Sequence, residues 1–222
     1  MEAKKFLCLR DLPIFSDLDE ESFKFVCLAA AKNEIKRGTA LFNQGDIVDS
    51  IYLVKEGRFK MVQVTPDGHE VILQIFGQGE AIGEAALFQD KYQPAAAIAL
   101  EDSKICAVGR PILEKIIKDK PEIAIKIICN LGSYLYRTWE HISELNTQTT
   151  QEKVLGLLIR LSQEYGESCA EGTRIKIRLT QQDIASMIGS SRVMVVQSLK
   201  ELMAQNYLRR ENRFYILKYK CF

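Results

Sequence analysis

The side chains that could ligate a metal ion or attack a substrate are few and scattered along this sequence. Cysteines stand at positions 8, 27, 106, 129, 169 and 221, and no two have the C-x-x-C spacing of a zinc or redox site. Neither His69 nor His141 belongs to a recognisable Ser/His/Asp set, and no glycine-rich loop of the phosphate-cradling kind stands out. The sequence therefore predicts no metal site and no enzyme, and we interpret most of the cysteines as small buried side chains.

The charge of the chain is distributed unevenly. Residues 148–222 carry 12 Lys and Arg against 7 Asp and Glu, a net +5, whereas residues 1–147 carry 18 against 22, a net −4. A basic C-terminal third suits a domain that meets a polyanion, although ordinary variation also produces a difference of this size. No run approaches the ~20 apolar residues that cross a bilayer, and the first residues do not resemble a signal peptide. We therefore expect a cytoplasmic protein with no membrane partner.

The first 110 residues predict a helix followed by a rolled antiparallel sheet. A cap at Asp19 and a shared apolar face indicate a helix over residues 19–31. A hairpin turn is expected at Pro66-Asp67-Gly68, because glycine adopts the positive φ that such turns require. Short alternating runs predict strands within residues 36–42, 51–54, 59–64, 71–76, 96–100 and 105–108. Many short strands at this spacing are typical of a closed or rolled antiparallel sheet.

Residues 111–147 predict a long helix, in which Pro111 suits the first turn and Pro121 suits a restart. From residue 122 onward, apolar positions step alternately by four and three residues, which is the pattern of a coiled-coil seam. After Ala124 this seam comprises Ile128, Leu131, Leu135, Thr138, Ile142 and Leu145. The seam could also pack on its own domain, since about three heptads is a modest length. We favour a two-fold dimer helix.

Residues 148–222 predict a helix, a strand at 175–179, two short helices and a hairpin. Thr180 and Asp183 have the spacing of a capping box, and Gly189 is placed to end the helix that they open. Ser190 or Ser191 then caps a second helix that runs to residue 204, and a basic hairpin follows. Two short helices joined by a glycine-containing turn and followed by a basic hairpin are typical of a winged helix-turn-helix.

Three stretches of the sequence resemble one known family. They are residues 38–57 (GTALFNQGDIVDSIYLVKEG), residues 65–73 (TPDGHEVIL) with 79–84 (GEAIGE), and residues 179–200 (LTQQDIASMIGSSRVMVVQSLK). In this order they resemble the cyclic-AMP receptor protein/fumarate-nitrate regulator (CRP/FNR) family, from the first helix to the wing. The resemblance implies an α+β chain with an effector-sensing antiparallel β-roll at 1–110, a dimerisation helix at 111–147 and a winged helix-turn-helix at 148–222. It also implies a homodimeric transcription regulator whose partners are double-stranded DNA and RNA polymerase.

The resemblance implies an effector pocket that departs from the cyclic-AMP pattern. Cyclic-AMP binders of this family hold the nucleotide with a Gly-Glu pair and, further on, an Arg-Ser pair for the phosphate. Gly83 and Glu84 match the first pair, but Pro94 and Ala95 occupy the phosphate positions and carry no side-chain donor. We therefore predict that cyclic AMP is not the effector. The expected lining is mostly apolar and comprises Ile72, Ile82, Gly83, Glu84, Leu87, Pro94, Ala95, Ala96 and Ala97, with Tyr134, Thr138 and Trp139 from the long helix.

Other effectors known in the family are not indicated, so the small molecule stays unidentified at this stage. The iron–sulfur members use a cysteine cluster near the N-terminus, whereas Cys8 and Cys27 lie far apart here. The haem-type members need an axial ligand, and His69 adjoins a turn where a solvated histidine is expected. A redox switch at Cys106 or Cys129 stays open beside a structural role. A filled roll that binds no ligand is a further alternative.

The match to the family's DNA-reading motif implies which side chains face the DNA. Arg192 can contact guanine O6 and N7, Gln197 can pair with adenine N6 and N7, and Val193 can contact a thymine methyl. Many members carry an acidic residue at the Val193 position and an arginine at the Gln197 position, so we do not expect the family's usual half-site. Ser191 is also expected to face the groove, and expected phosphate contacts are Thr180, Gln181, Ser190, Lys200, Arg209, Arg210 and Arg213.

The mechanism that follows is a two-state dimer. An effector in the roll touches the long helix near Thr138 and Trp139 and biases a hinge at residues 146–151, so that two recognition helices come one DNA turn apart. The alternatives are a cyclic-nucleotide-responsive regulator that uses Glu84, a regulator whose DNA binding is redox-controlled or ligand-independent, and an interaction module that does not bind DNA.

Overall fold

The computed structural model of the chain describes residues 19–83 and 92–218. The chain divides into two compact units, Met1–Leu135 and Tyr136–Phe222. The division falls inside one long helix, whereas the sequence predicted boundaries at residues 110 and 147. In the part of the chain that the structure describes, no helix combines the length and apolar character needed to cross a bilayer.

The first unit contains a two-sheet roll and its flanking helices. Its elements are α1 (Glu20–Ala29), β1 (Ala31–Ile35), β2 (Ala40–Phe42), β3 (Ser50–Glu56), β4 (Phe59–Val64), β5 (Glu70–Phe76), β6 (Ala81–Ile82), β7 (Ala96–Ala99), β8 (Ser103–Gly109), α2 (Arg110–Asp119) and α3 (Glu122–Thr147), the last of which continues into the second unit. One antiparallel sheet has the order β1-β8-β3-β6 and the other has the order β2-β7-β4-β5. The predicted roll is thus confirmed.

The alternation of side chains along β3 separates two apolar cores. Ile51 and Leu53 pack with residues of α1, α2 and α3, whereas Val54 packs with Phe59 and Phe76 of the second sheet. Because successive strand residues point to opposite faces, one strand contributes to both cores. The second of these cores fills the inside of the roll, which we call the roll interior.

Two local features of the first unit differ from the sequence prediction. Ala31, predicted as the end of the helix, begins β1, whose exposed polar residues give no apolar alternation to detect. The single long helix predicted over residues 111–147 is two helices, because α2 ends at Asp119 and α3 begins at Glu122, directly after Pro121. The predicted hairpin at residues 65–68 is confirmed, with Gly68 at φ +83° and its N–H donating to the Thr65 carbonyl at 2.9 Å.

The second unit is a helical body with a four-stranded sheet. Its elements after α3 are α4 (Thr150–Tyr165), β9 (Gly166–Cys169), β10 (Gly172–Ile175), α5 (Gln181–Ile188), α6 (Arg192–Ala204), β11 (Leu208–Glu211) and β12 (Phe214–Lys218). The sheet order is β11-β12-β10-β9. The predicted strand at 175–179 is wrong, since β10 ends at Ile175, and β9 was missed. At Gly172 a Cβ would lie 1.8 Å from the Leu217 carbonyl oxygen, so only glycine lets β10 approach β12 this closely.

Candidate nucleic-acid interface and effector pocket

The helix-turn-helix begins at a complete capping box. The Asp183 N–H donates to Thr180 Oγ1 at 3.0 Å, and the Thr180 N–H donates to Asp183 Oδ2 at 2.9 Å. Two otherwise unpaired backbone donors are thus satisfied where α5 starts. Gly189 ends α5 in the left-handed conformation at φ +62°, which turns the chain toward α6. These observations confirm the predicted cap and the predicted turn.

The helix α6 buries one side and exposes the predicted reading side. Ser191 caps it by accepting a hydrogen bond from the Met194 N–H at 3.3 Å. Val195, Ser198, Leu199 and Leu202 are buried, whereas Arg192, Val193, Gln197 and Lys200 are exposed. Val193 is 78% exposed, which agrees with the predicted groove-facing position. Gln197 Nε2 donates to Glu201 Oε1 at 2.7 Å.

Arginines of the predicted wing differ in their surroundings. Arg209 donates to the carboxylate of Glu171, which Lys218 also contacts, and these hydrogen bonds lower the pKa of Glu171 to about 2. Arg210 lies over the Tyr215 ring, with 5.7 Å between its guanidinium carbon and the ring centroid. Arg213 is exposed and has no ion-pair partner among the described residues. It is therefore the wing cation best placed to meet a phosphate.

The remaining predicted phosphate contacts lie around the start of the two helices. Thr180 is exposed, with its hydroxyl engaged in the capping box, and Gln181 and Ser190 are half-buried. Thr180 and Gln181 lie at the start of α5, and Ser190 lies directly before Ser191, the cap of α6. The structure describes their positions, and their contact with DNA stays a prediction.

The helix α3 exposes an apolar stripe that only partly coincides with the predicted seam. Ile128, Leu135 and Ile142 are exposed as predicted, and each is about half exposed or more. Ile125 and Trp139 join them, because positions 125, 128, 132, 135, 139 and 142 step alternately by three and four residues. We call Ile125, Ile128, Leu135, Trp139 and Ile142 the α3 stripe.

Other predicted seam residues are placed differently. Leu131 packs against the core between the first sheet and the helices, because Ile123 and Ile127 on the same side of α3 are buried there. Leu145 is half-buried, with its Cδ2 atom 3.8 Å from the point that a Cβ on Gly189 would occupy. Thr138 is exposed beside the α3 stripe. The exposed α3 stripe therefore lies on the helix of the predicted seam, but it is rotated from that seam by part of a turn.

The roll interior contains several of the predicted pocket residues. Ile82 and Tyr134 pack in it, and the Tyr134 ring meets the Phe76 ring edge-on at 5.9 Å between centroids. Ile72, Gly83 and Ala95 are also buried. Gly83 has φ +95°, and a Cβ there would lie 3.1 Å from the Ser50 carbonyl oxygen, so a larger residue would be strained and crowded. Glu84 and Leu87 lie outside the described residues.

Two family models match the chain in the order of its two units. The cyclic nucleotide-binding domain matches residues 32–120, and the Crp-like helix-turn-helix domain matches residues 152–220. The CRP-like cAMP-activated global transcriptional regulator of Mycobacterium tuberculosis is 27% identical over 180 residues, covering 81% of this chain and 80% of that protein. The Anaerobic regulatory protein of Bacillus subtilis is 27% identical over 200 residues, covering 89% and 83% respectively.

A solved structure shows the same fold over nearly the whole chain. It is that of CLP, the c-di-GMP responsive global regulator of Xanthomonas campestris, with a TM-score of 0.78 and 24% identity over 90% of this chain and 99% of CLP. The chain belongs to the CRP/FNR family. The family is made of transcription regulators, which are not enzymes.

Residues predicted to line the effector pocket of this CRP/FNR protein differ in their burial. Pro94 is exposed, and Ala96 is half-buried. The predicted lining also included Thr138 and Trp139, which are exposed and belong to the second unit. Burial alternates along this segment, with Gln93, Ala95, Ala97 and Ala99 buried. The buried positions therefore include a polar residue that the sequence analysis did not consider.

Two glutamines of this CRP/FNR roll were missed by sequence reasoning. Gln93 is 6% exposed, and its Nε2 is buried without a hydrogen-bond partner. Gln74 Nε2 is in the same situation, and Gln74 lies beside Met61 of the neighbouring strand, which packs in the roll interior. A glutamine within an apolar alternation was the one available signal.

The cysteines of this CRP/FNR protein are separated in the described part of the chain. Cys106 is buried, and desolvation raises the pKa of its thiol, which makes the reactive thiolate scarce. Cys129 is exposed on α3, and Cys27 and Cys169 are half-buried. Across residues 19–83 and 92–218, no three His, Cys, Asp or Glu converge in a way that could hold a metal ion. Cys8 and Cys221 lie outside the described residues.

Proposed function

We propose that this chain is a homodimeric, sequence-specific DNA-binding transcription regulator whose activity is set by a small molecule other than cyclic AMP. The observation that carries the DNA-binding part is the exposed side of α6. Arg192, Val193 and Gln197 stand there together, at the start of a capped second helix of a helix-turn-helix. In this motif the N-terminal residues of the second helix contact base edges in the major groove.

Each side chain on this surface has a distinct role in the proposal. Arg192 donates twice to guanine, Gln197 reads adenine and Val193 contacts a thymine methyl. Lys200 and Arg213 contact phosphates, which set the register of the protein on the duplex without reading its sequence. A polyanion partner also agrees with the net +5 of residues 148–222.

The dimer part of the proposal is supported by the α3 stripe. Large apolar side chains at Ile128, Leu135 and Ile142 are exposed in the single chain, and the spacing of the stripe is that of a two-stranded coiled coil. Covering the stripe with a second copy would remove these side chains from water. A two-fold dimer would also present two α6 helices to half-sites about one helical turn, ~34 Å, apart.

The effector part is supported by the chemistry of the roll interior. Ala95 is buried and carries no side-chain donor for a phosphate, and Pro94 beside it lacks a backbone N–H as well. The unpaired amides of Gln74 and Gln93 suit instead an uncharged acceptor such as a carbonyl oxygen. The effector acts through its differential affinity for two states of the dimer. RNA polymerase is the expected further partner, and the cytoplasm is where a bacterial regulator would meet its DNA.

Two measurements test this proposal. The purified chain is expected to sediment as a dimer and to bind duplex DNA with an affinity that falls steeply as salt rises. A monomer at all concentrations, or an absence of duplex binding at low salt, would contradict it. Titration calorimetry with cyclic AMP is expected to show no binding. Micromolar binding would support the cyclic-nucleotide alternative, in which Glu84 takes part. It would contradict the proposal that the effector is not cyclic AMP, but not the proposal that the chain binds DNA.

A further inference from the structure

The amide of Gln197 is held in one orientation on the reading side of α6. Its Nε2 donates to Glu201 Oε1 at 2.7 Å, across one turn of the helix. A carboxylate only accepts hydrogen bonds, so the amide nitrogen and not the amide oxygen must face Glu201. The contact therefore fixes which end of the amide is which, and it occupies one of the two N–H groups of Nε2.

This orientation changes which bases Gln197 can read. Adenine presents the N6 donor and the N7 acceptor in the major groove, whereas guanine presents two acceptors, N7 and O6. An unrestrained glutamine amide can turn its carbonyl and one N–H toward adenine, or both of its N–H groups toward guanine. With one N–H bound to Glu201, the remaining N–H and Oε1 still match adenine, but a double donation to guanine is lost.

We propose that Glu201 is a positioning residue that makes Gln197 select adenine over guanine at one position of each half-site. Glu201 does not touch the base and acts only through the amide that it holds. The inference rests on the proposed function, since it requires α6 to enter the major groove. Glu201 also brings a negative charge to a helix that faces phosphates, which weakens DNA binding at every sequence. Its charge and its role as an acceptor can therefore be separated by substitution.

The test begins with duplexes selected from a random library by the purified chain. The base pair that Gln197 reads is the position at which preference disappears in Gln197→Ala. Affinities are then measured at one salt concentration for the selected duplex and for the same duplex with guanine in place of adenine. The wild-type chain is expected to prefer adenine by tenfold or more, in line with a good bidentate pair.

Two substitutions distinguish the carboxylate contact of Glu201 from its charge. Glu201→Ala is expected to reduce the adenine preference to about threefold or less, mainly through a gain in affinity for the guanine duplex. Glu167→Gln removes a carboxylate of β9 that pairs with Lys176, leaves the Gln197 contact in place and is expected to retain the preference. Both variants lose a negative charge and should bind all duplexes somewhat more tightly. Lys200→Ala is the matched control on the same helix, and it should weaken binding to both duplexes equally.

The outcomes separate this inference from the function on which it rests. An unchanged adenine preference in Glu201→Ala overturns the positioning role, and so does an equal loss of preference in Glu167→Gln. The absence of any position at which Gln197→Ala loses preference also overturns it. A wild-type chain that enriches no duplex contradicts the proposed function itself.

Discussion

The carboxylate of Glu171 accepts a hydrogen bond from Arg209 Nη1 at 2.5 Å, joining the turn between β9 and β10 to the first strand of the wing. Lys218 of the second wing strand contacts the other oxygen of the same carboxylate. One acidic residue therefore neutralises much of the charge of two wing cations, 38 and 47 positions further along the chain. Arg213, at the tip of the wing, has no such partner among the described residues.

This difference predicts unequal effects of wing substitutions on DNA binding. Arg213→Ala should weaken binding to all duplexes and reduce the slope of log affinity against log salt by about one, because one phosphate contact is lost. Arg209→Ala should reduce the slope less, because Glu171 already competes for that guanidinium. Anisotropy titrations at several salt concentrations measure both slopes. A larger effect of Arg209→Ala would show that the wing contacts DNA through its base and not its tip.

Removing the contacts of Glu171 with Arg209 and Lys218 should strengthen DNA binding. Glu171→Gln removes the charge that holds Arg209 and Lys218, so both become available to phosphates, and the salt slope should steepen. Glu167→Gln is the matched control on the preceding strand β9, where the native carboxylate pairs with Lys176 instead. If both variants raised the affinity equally, overall net charge and not the release of the wing cations would be responsible.

The pKa of Glu171 also predicts a pH dependence of stability. Its folded-state pKa is lowered from 4.5 to about 2 by the hydrogen bonds from Arg209 and Lys218. A depressed carboxyl pKa stabilises the fold above the unfolded value, and that contribution is lost as pH falls from about 4.5 to about 2. The melting temperature of the wild-type chain should exceed that of Glu171→Gln at pH 7, and the gap should close within this window. A gap that is constant over the window would contradict the assignment.

The buried Gln93 side chain is predicted to lower the free energy of unfolding. A buried amide donor without a partner costs about 1–3 kcal/mol, so Gln93→Leu should raise the free energy of unfolding by ~1 kcal/mol and the melting temperature by about 2–4 °C. Gln78→Leu serves as the control, because Gln78 is exposed and should change little. A lower melting temperature for Gln93→Leu than for the wild type would mean that the Gln93 side chain is well satisfied where it lies.

Substitutions of different α3 residues are predicted to affect dimerisation and folding independently. Ile142→Glu places a charge within the stripe and should convert the dimer to a monomer with little loss of secondary structure, as judged by sedimentation and circular dichroism. Leu28→Glu, at a still more exposed apolar residue of α1, should leave the dimer intact. Leu131→Glu should instead lower the melting temperature, since Leu131 packs against its own core. A dimeric Ile142→Glu chain would place the interface elsewhere.

Features decided within a few residues could be predicted from the sequence. The Thr180–Asp183 box, the turn at Gly189 and the hairpin at Gly68 depend on hydrogen bonds or φ angles inside a single turn. The order of short strands, long helix and helix-turn-helix could also be predicted, because the period of the apolar residues indicates the local conformation. The polar edge strands β1 and β9 escaped detection, since their residues carry no apolar period.

Amino-acid order by itself thus determined the type of each main element and the side chains that α6 offers to a partner. Tertiary structure decided which apolar faces are covered: Leu131 packs against the core of its own unit, whereas Trp139 belongs to the exposed stripe. It likewise decided that Gln93 is buried and Pro94 is exposed. It also decided that Arg209 would meet Glu171. Periodicity shows which residues share a face but not what lies opposite that face, because the latter depends on contacts between segments far apart in the chain.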